Sequence, residues 1–203
     1  MYVPGPRAME GTNPVNKKLV ALSGGAALVL ALSGCGGGGD DSEKKANAWA
    51  KSVCDEVQPQ LKKIQGANAS IRAASEEQDS KKLQQTDSKA FQQISESYAA
   101  LAKAVKKAGA PPVDNGAQTQ KQAVKELNAT SGAYNDLQTT VDKLDTSDKS
   151  KFAEGLKGVA DELKKLSDSG DKALQQLQAG KVGTAMSKQP GCQKPKTGAT
   201  SAT

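Results

Sequence analysis

The sequence predicts an all-α protein, an antiparallel up-down-up-down four-helix bundle with a kinked first helix. Three observations lead there. The vocabulary is helical: Ala, Lys, Gln, Glu, Asp and Leu dominate, Val and Ile are few, and histidine is absent from the 203 residues. Apolar residues recur at three- and four-residue steps in four long stretches, which keeps them on one face of each helix. The turns between those stretches are short and rich in Gly, Pro, Asp and Ser, which favours antiparallel neighbours.

The first helix is expected from about Ser42 to the polar break at Ser75–Ser80, with Trp49, Val53, Val57, Leu61, Ile64 and Ile71 on its stripe. Pro59 removes one backbone donor inside the run. The stripe keeps its register across Pro59, so one bent helix is expected rather than two. The second helix runs from about Asp79 to Ala108. Its Phe91, Ile94, Tyr98, Leu101, Val105 and Ala108 alternate in the a/d manner of a coiled-coil seam. Lys103, Lys106 and Lys107 suit its C-terminal dipole, and Gly109-Ala110-Pro111-Pro112 stops it.

The third helix is expected over Ala117 to Leu144, marked by Val124, Leu127, Tyr134, Leu137, Val141 and Leu144, with Ser131 at a seam position. Tyr98 and Tyr134 occupy seams of adjacent helices and are expected to pack together. After the turn at Asp145–Asp148, Ser147 or Thr146 is expected to cap a fourth helix reaching Gln178. Phe152, Leu156, Val159, Leu163, Leu166, Leu174 and Leu177 form its stripe. Gly155, Gly158 and Gly170 interrupt it, each costing about 1 kcal/mol against Ala. They either allow close helix contact or mark a looser helix. Gly180 and Gly183 are expected to end the helical region.

The chain ahead of the helices carries an address. Lys17 and Lys18 precede an apolar run from Leu19 to Leu32, which is too short and too interrupted by Ser23-Gly24-Gly25 to read as a permanent membrane span. It closes on Leu32-Ser33-Gly34-Cys35. This motif resembles the lipobox of bacterial lipoprotein precursors, with the resemblance covering residues 17–35. It implies that Cys35 receives a diacylglyceryl group and becomes the first residue of a chain lipid-anchored on the extracytoplasmic face of the bacterial membrane. Four parts follow: 1–34 signal peptide, 35–42 lipidated Cys and flexible Gly/Asp spacer, 43–187 helical bundle, and 188–203 a mostly disordered tail carrying Cys192. With Cys35 assigned to lipid, Cys54 and Cys192 remain, and an even pair in an exported protein reads as a disulfide. In the expected topology the end of the fourth helix returns beside the start of the first, where Cys54 lies.

Chemistry is harder to find. Without histidine there is no Ser-His-Asp or Cys-His arrangement and no common metal ligand. Gly36–Gly39 lacks the strand and the Gly-Lys-Ser/Thr of a phosphate loop. Glu96, Glu126, Glu154 and Glu162 fall off the apolar stripes, as surface residues do. The whole chain has 28 Lys and Arg against 22 Asp and Glu. Without Arg7, Lys17, Lys18 and Glu10 of the leader, 25 basic residues face 21 acidic ones, an excess of four. That suits a membrane surface and is too small to imply nucleic acid.

No catalytic residue, cofactor or metal is therefore expected, and the chain does not read as an enzyme. The first reading is an envelope interaction or structural protein held at the membrane through Cys35, with a protein partner in the envelope. The alternative is a small hydrophobic ligand-binding or sensor lipoprotein. The layout of lipobox, Gly-rich spacer, Lys/Ala/Gln-rich helices and two framing cysteines resembles the small secreted lipoproteins of actinomycetes, a resemblance that bears on location and not on mechanism.

Overall fold

A computed structural model of the chain describes residues 37–169 and 179–193, with side chains at 41–166 and 179–193. The described residues form five α-helices and one short 3-10 turn, with no strand among them. The helices are α1 (Gly37–Ala74), α2 (Ser80–Ala108), α3 (Gly116–Asp142), α4 (Lys149–Ser169) and α5 (Gly180–Ser187), followed by the turn Pro190–Cys192. The expected all-α class holds over these residues. The leader with Cys35, the stretch with Gly170, Leu174 and Leu177, and the tail beyond Gln193 lie outside the described residues.

Helix α1 starts at Gly37, five residues ahead of the expected Ser42, so much of the stretch read as a flexible spacer is the first turns of a helix. Adding a residue to an existing helix is far easier than nucleating one, and that carries the helix back through poor formers such as Gly. The helix also passes Pro59 without interruption over its 38 residues. Its expected stripe is sound: Trp49 and Val53 are buried, with Val57, Leu61, Ile64 and Ile71 partly so. Small residues on the same face (Ala46, Ala50, Cys54, Ala67 and Ala74) are buried with them.

Helices α2 and α3 follow their expected seams. Phe91, Ile94, Leu101 and Val105 are buried on α2, as are Leu127, Leu137 and Val141 on α3. Asp79 caps α2 by accepting from the amides of Lys81 (2.9 Å) and Lys82 (3.1 Å). Gly109, at φ 77°, ends it in a left-handed conformation that glycine adopts without strain. At the opposite end of the α2–α3 turn, Asn115 takes φ 58° and Gly116 packs against the Pro111 carbonyl so closely that a Cβ would overlap it.

Side-chain hydrogen bonds cross between α2 and α3. Gln84 Nε2 donates to the carbonyls of Val141 and Leu144, both at 2.9 Å, Ser95 donates to Ser131 O (2.8 Å), and Gln120 Nε2 donates to Val105 O (3.1 Å). Early α1 meets late α2 through Trp49 Nε1, which donates to Gly109 O at 2.9 Å. The Pro111-Pro112 turn therefore lies at the starting end of α1.

The structure differs most beyond the expected fourth helix, where a further short helix follows. Of the helix expected over 148–178, the described part is α4 (Lys149–Ser169); residues 170–178 lie outside the described residues, and a further helix, α5, opens at Gly180. The cap is Asp148, whose Oδ1 accepts from the amides of Ser150 (2.9 Å) and Lys151 (3.1 Å). The expected cap Ser147 instead bonds Asp145, because the helix opens one residue later than a Ser147 cap requires. Gly180 and Gly183 do not end the helical region. Gly180, at φ 60°, opens α5, and Gly183 is buried within it, since burial of one face overrides weak propensity.

The two late helices serve two different cores. One cluster joins Trp49, Ala50 and Val53 of α1, Leu101 and Val105 of α2, Leu127 of α3, and Val182 and Ala185 of α5. The other joins Ala67 of α1, Phe91 and Ile94 of α2, Leu137 and Val141 of α3, and Val159 of α4, with Leu163 and Leu166 packed against it. α5 thus packs on the cluster nearest the start of α1 and α4 on the other.

Candidate functional site

Of the residues singled out in the sequence, Cys54 and Cys192 are brought together. They form a disulfide with Cα atoms 5.0 Å apart across 138 positions. Cys54 follows Val53 on the core face of α1 and is fully buried, while Cys192 ends the 3-10 turn and is partly exposed. Between them Gly191 lies flat on the backbone of Cys54, and a Cβ there would overlap the Cys54 carbonyl. Only glycine permits the turn to approach so closely. Cys35 lies outside the described residues.

The disulfide secures α5 beside the opening turns of α1. Val182, Gly183 and Ala185 form its buried face. Lys188 Nζ donates to Glu43 Oε1 at 2.7 Å, and this hydrogen bond and charge hold the Glu43 carboxyl below its ordinary range. Beside this contact runs an open groove of about 940 Å³, with Ser42 and Asn47 on the α1 side, Val113 of the α2–α3 turn, and Lys181, Thr184 and Lys188 on the α5 side. A neighbouring hollow of about 710 Å³ shares Ser42, Val113 and Lys181 and extends to Thr119 of α3. The groove offers hydroxyls, an amide, ammonium groups and the Glu43 carboxylate beside the apolar Ala46, Val113 and Ala185. Among the described residues no cluster of three or more His, Cys, Asp or Glu side chains could hold a metal ion.

Among the described residues two buried side-chain oxygens have no hydrogen-bond partner, Asn47 Oδ1 and Asp87 Oδ1. Asp87 is 7% exposed, and burial pushes its carboxyl up to about 6. It sits one helical turn before Phe91, in register with the α2 seam. Spacing alone marks that position as inward, yet its charge diverts attention to the surface. Further along the seam, Tyr98 and Tyr134 stack with ring centroids 5.7 Å apart and planes 10° apart, and Phe91 tilts against Tyr134 at 6.2 Å. The expected packing of the two tyrosines is what the structure shows. Burial, and then the nearby Tyr98, push the Tyr134 hydroxyl upward.

Glu96, Glu154 and Glu162 are exposed, as their spacing indicates, and Glu126 is partly buried. The feature that spacing did not find is α5. Its eight residues, opened and interrupted by glycines, carry too short a pattern to register as a helix. The signal available was Cys192 itself, since a disulfide to Cys54 requires an ordered segment against α1.

Together these features define an all-helical protein in which the 3-10 turn after α5 is joined covalently to α1. Comparison with protein-family models, with curated proteins and with solved structures yields no match to this chain. Among the described residues no helix is long and apolar enough to cross a membrane.

Proposed function

We propose that the chain is a lipid-anchored envelope protein, attached through Cys35, that acts by binding a protein partner with the helical body. The observation that carries this reading is the motif Leu32-Ser33-Gly34-Cys35 standing two residues ahead of α1. With so short a connection, the first turn of α1 sits at the lipid surface. The four longer helices form an antiparallel up-and-down body, a reading supported by the opposite order in which α1, α2 and α3 meet. The Pro111-Pro112 turn and α5 then lie at the membrane end. The turns at Ser75–Ser80 and Asp145–Asp148 point outward and form the face offered to the partner.

The test has two arms. Mass spectrometry of the membrane fraction is expected to find a mature N-terminus at Cys35 bearing acyl chains, and Cys35→Ala is expected to release the chain. An unmodified Cys35, or a Cys35→Ala chain that stays in the membrane, overturns the anchor. Affinity capture from the same membranes, with and without substitutions in the two outward turns, tests the partner face. Capture that survives those substitutions overturns it.

A second reading, a ligand-binding lipoprotein, is favoured by the groove beside Lys181. Its lining sets Ala46, Val113 and Ala185 beside Ser42, Glu43, Asn47 and Lys181, which suits a small ligand with both apolar and polar parts.

A further inference from the structure

We propose that α5 and its 3-10 turn are a disulfide-held lid over the first half of α1, released when a dithiol reductant opens Cys54–Cys192. This goes beyond the anchoring reading and stands on described residues whether or not Cys35 carries lipid.

The lid has a defined seat. Val182 and Ala185, with Met186 against them, pack on the cluster that contains Ala46, Trp49, Ala50 and Val53 of α1. The same helix supplies the Lys181, Thr184 and Lys188 side of the groove. Lifting α5 therefore removes one wall of the groove and bares small apolar residues on α1.

The lid is weakly held apart from its covalent bond. A helix of eight residues is too short to persist in water by itself. Ala179 offers no side-chain cap at its start. The hydroxyls of Thr184 and Ser187 bond carbonyls within α5 and do not tie it to α1. The ion pair Lys188–Glu43 is solvent-exposed on both sides and of a kind that contributes little. The disulfide is thus the tie that decides whether α5 stays seated.

The two half-cystines differ in exposure. Cys54 is fully buried on α1, whereas Cys192 is partly exposed on the turn. A thiolate of the reductant attacks Sγ of Cys192, the protein S–S bond breaks, and Cys54 leaves as a thiolate that takes a proton. The second thiol of the reductant then displaces Cys192 from the mixed disulfide. The reductant dithiol is oxidised to its disulfide, two electrons pass to the protein, and two protein thiols result. The chemical class required is an exported thioredoxin-like dithiol.

The experiment follows hydrogen exchange and Trp49 emission of the full chain with and without dithiothreitol. Trp49 is the chain's single tryptophan and lies in the cluster that α5 covers. Reduction is expected to raise exchange of the α5 amides at least ~10-fold and to shift Trp49 emission to the red, while the amides of α2 and α3 keep their protection. Cys192→Ser is expected to show the open state without reductant. Unchanged α5 exchange in the reduced chain or in Cys192→Ser would mean that packing alone seats the helix, and overturns the proposal. Loss of protection in α2 and α3 together with α5 would also overturn it, because the bond would then be a staple of the whole fold.

Discussion

Asp87 is an acidic side chain buried on the core side of α2. A carboxyl at 7% exposure, with one oxygen unbonded, has lost water without gaining a partner. Its pKa rises to about 6, above the ordinary carboxylate value of about 4. The folded state therefore binds this proton more tightly than the unfolded chain. The resulting penalty on stability is full at neutral pH, shrinks as pH falls through 6, and is gone below about 4. Its size is at most about 3 kcal/mol, from about 1.4 kcal/mol per pH unit of displacement. Asp87→Asn, which cannot ionise, is expected to gain on the wild type at pH 7 and to lose that advantage by pH 4. Urea midpoints of both chains across that range check it, and a difference independent of pH would contradict it. Trp49 makes the opposite case, with an apolar body in the core and its Nε1 bonded to Gly109 O. Trp49→Phe keeps most of the burial and loses the bond, and is expected to lower stability by about 1–2 kcal/mol in thermal unfolding.

At the scale of elements, the sequence was most legible where apolar residues repeat over several turns. Helices α2 and α3 were placed within two residues at either end, because Phe91 to Val105 and Leu127 to Val141 are large enough to mark a face unaided. The glycines of α4 were not legible, since glycine allows both close contact and looseness. The structure separates the two roles. A Cβ at Gly155 would meet the side chain of Leu144, while one at Gly158 would meet nothing within 4 Å. Gly158→Ala is therefore expected to stabilise the protein by about 1 kcal/mol through helix propensity. Gly155→Ala is expected to return less, because a Leu144 methyl group must turn aside. Chemical denaturation of the two single variants compares them directly. The presence of α5 beyond the expected fourth helix was out of reach of a periodicity argument. A helix as short as α5 is stabilised by what it touches, and that is tertiary information.

At the scale of the whole molecule, the two ends carry different things. The end where α1 starts holds the α2–α3 turn, the disulfide, α5 and the groove. Among the described residues the far end holds the turns between α1 and α2 and between α3 and α4. A helix of 29 residues such as α2 separates them by roughly 43 Å, several times the ~8 Å over which charges act through physiological salt. Anchoring through Cys35 would bring one end to the membrane and leave the other in solvent. Lysines report this asymmetry, because exposed ones stand at both ends: Lys106, Lys107, Lys181 and Lys188 at the α1 start, and Lys81, Lys82, Lys143 and Lys149 at the far turns. With a membrane-impermeant amine reagent on intact membranes, the far set is expected to react faster than the near set. In the Cys35→Ala chain, free of the surface, the ratio between the sets is expected to fall toward that of the purified protein. Equal ratios in the two chains would show that the end bearing α5 does not face the lipid. The groove would then be open to ligands from bulk solvent rather than from the membrane surface.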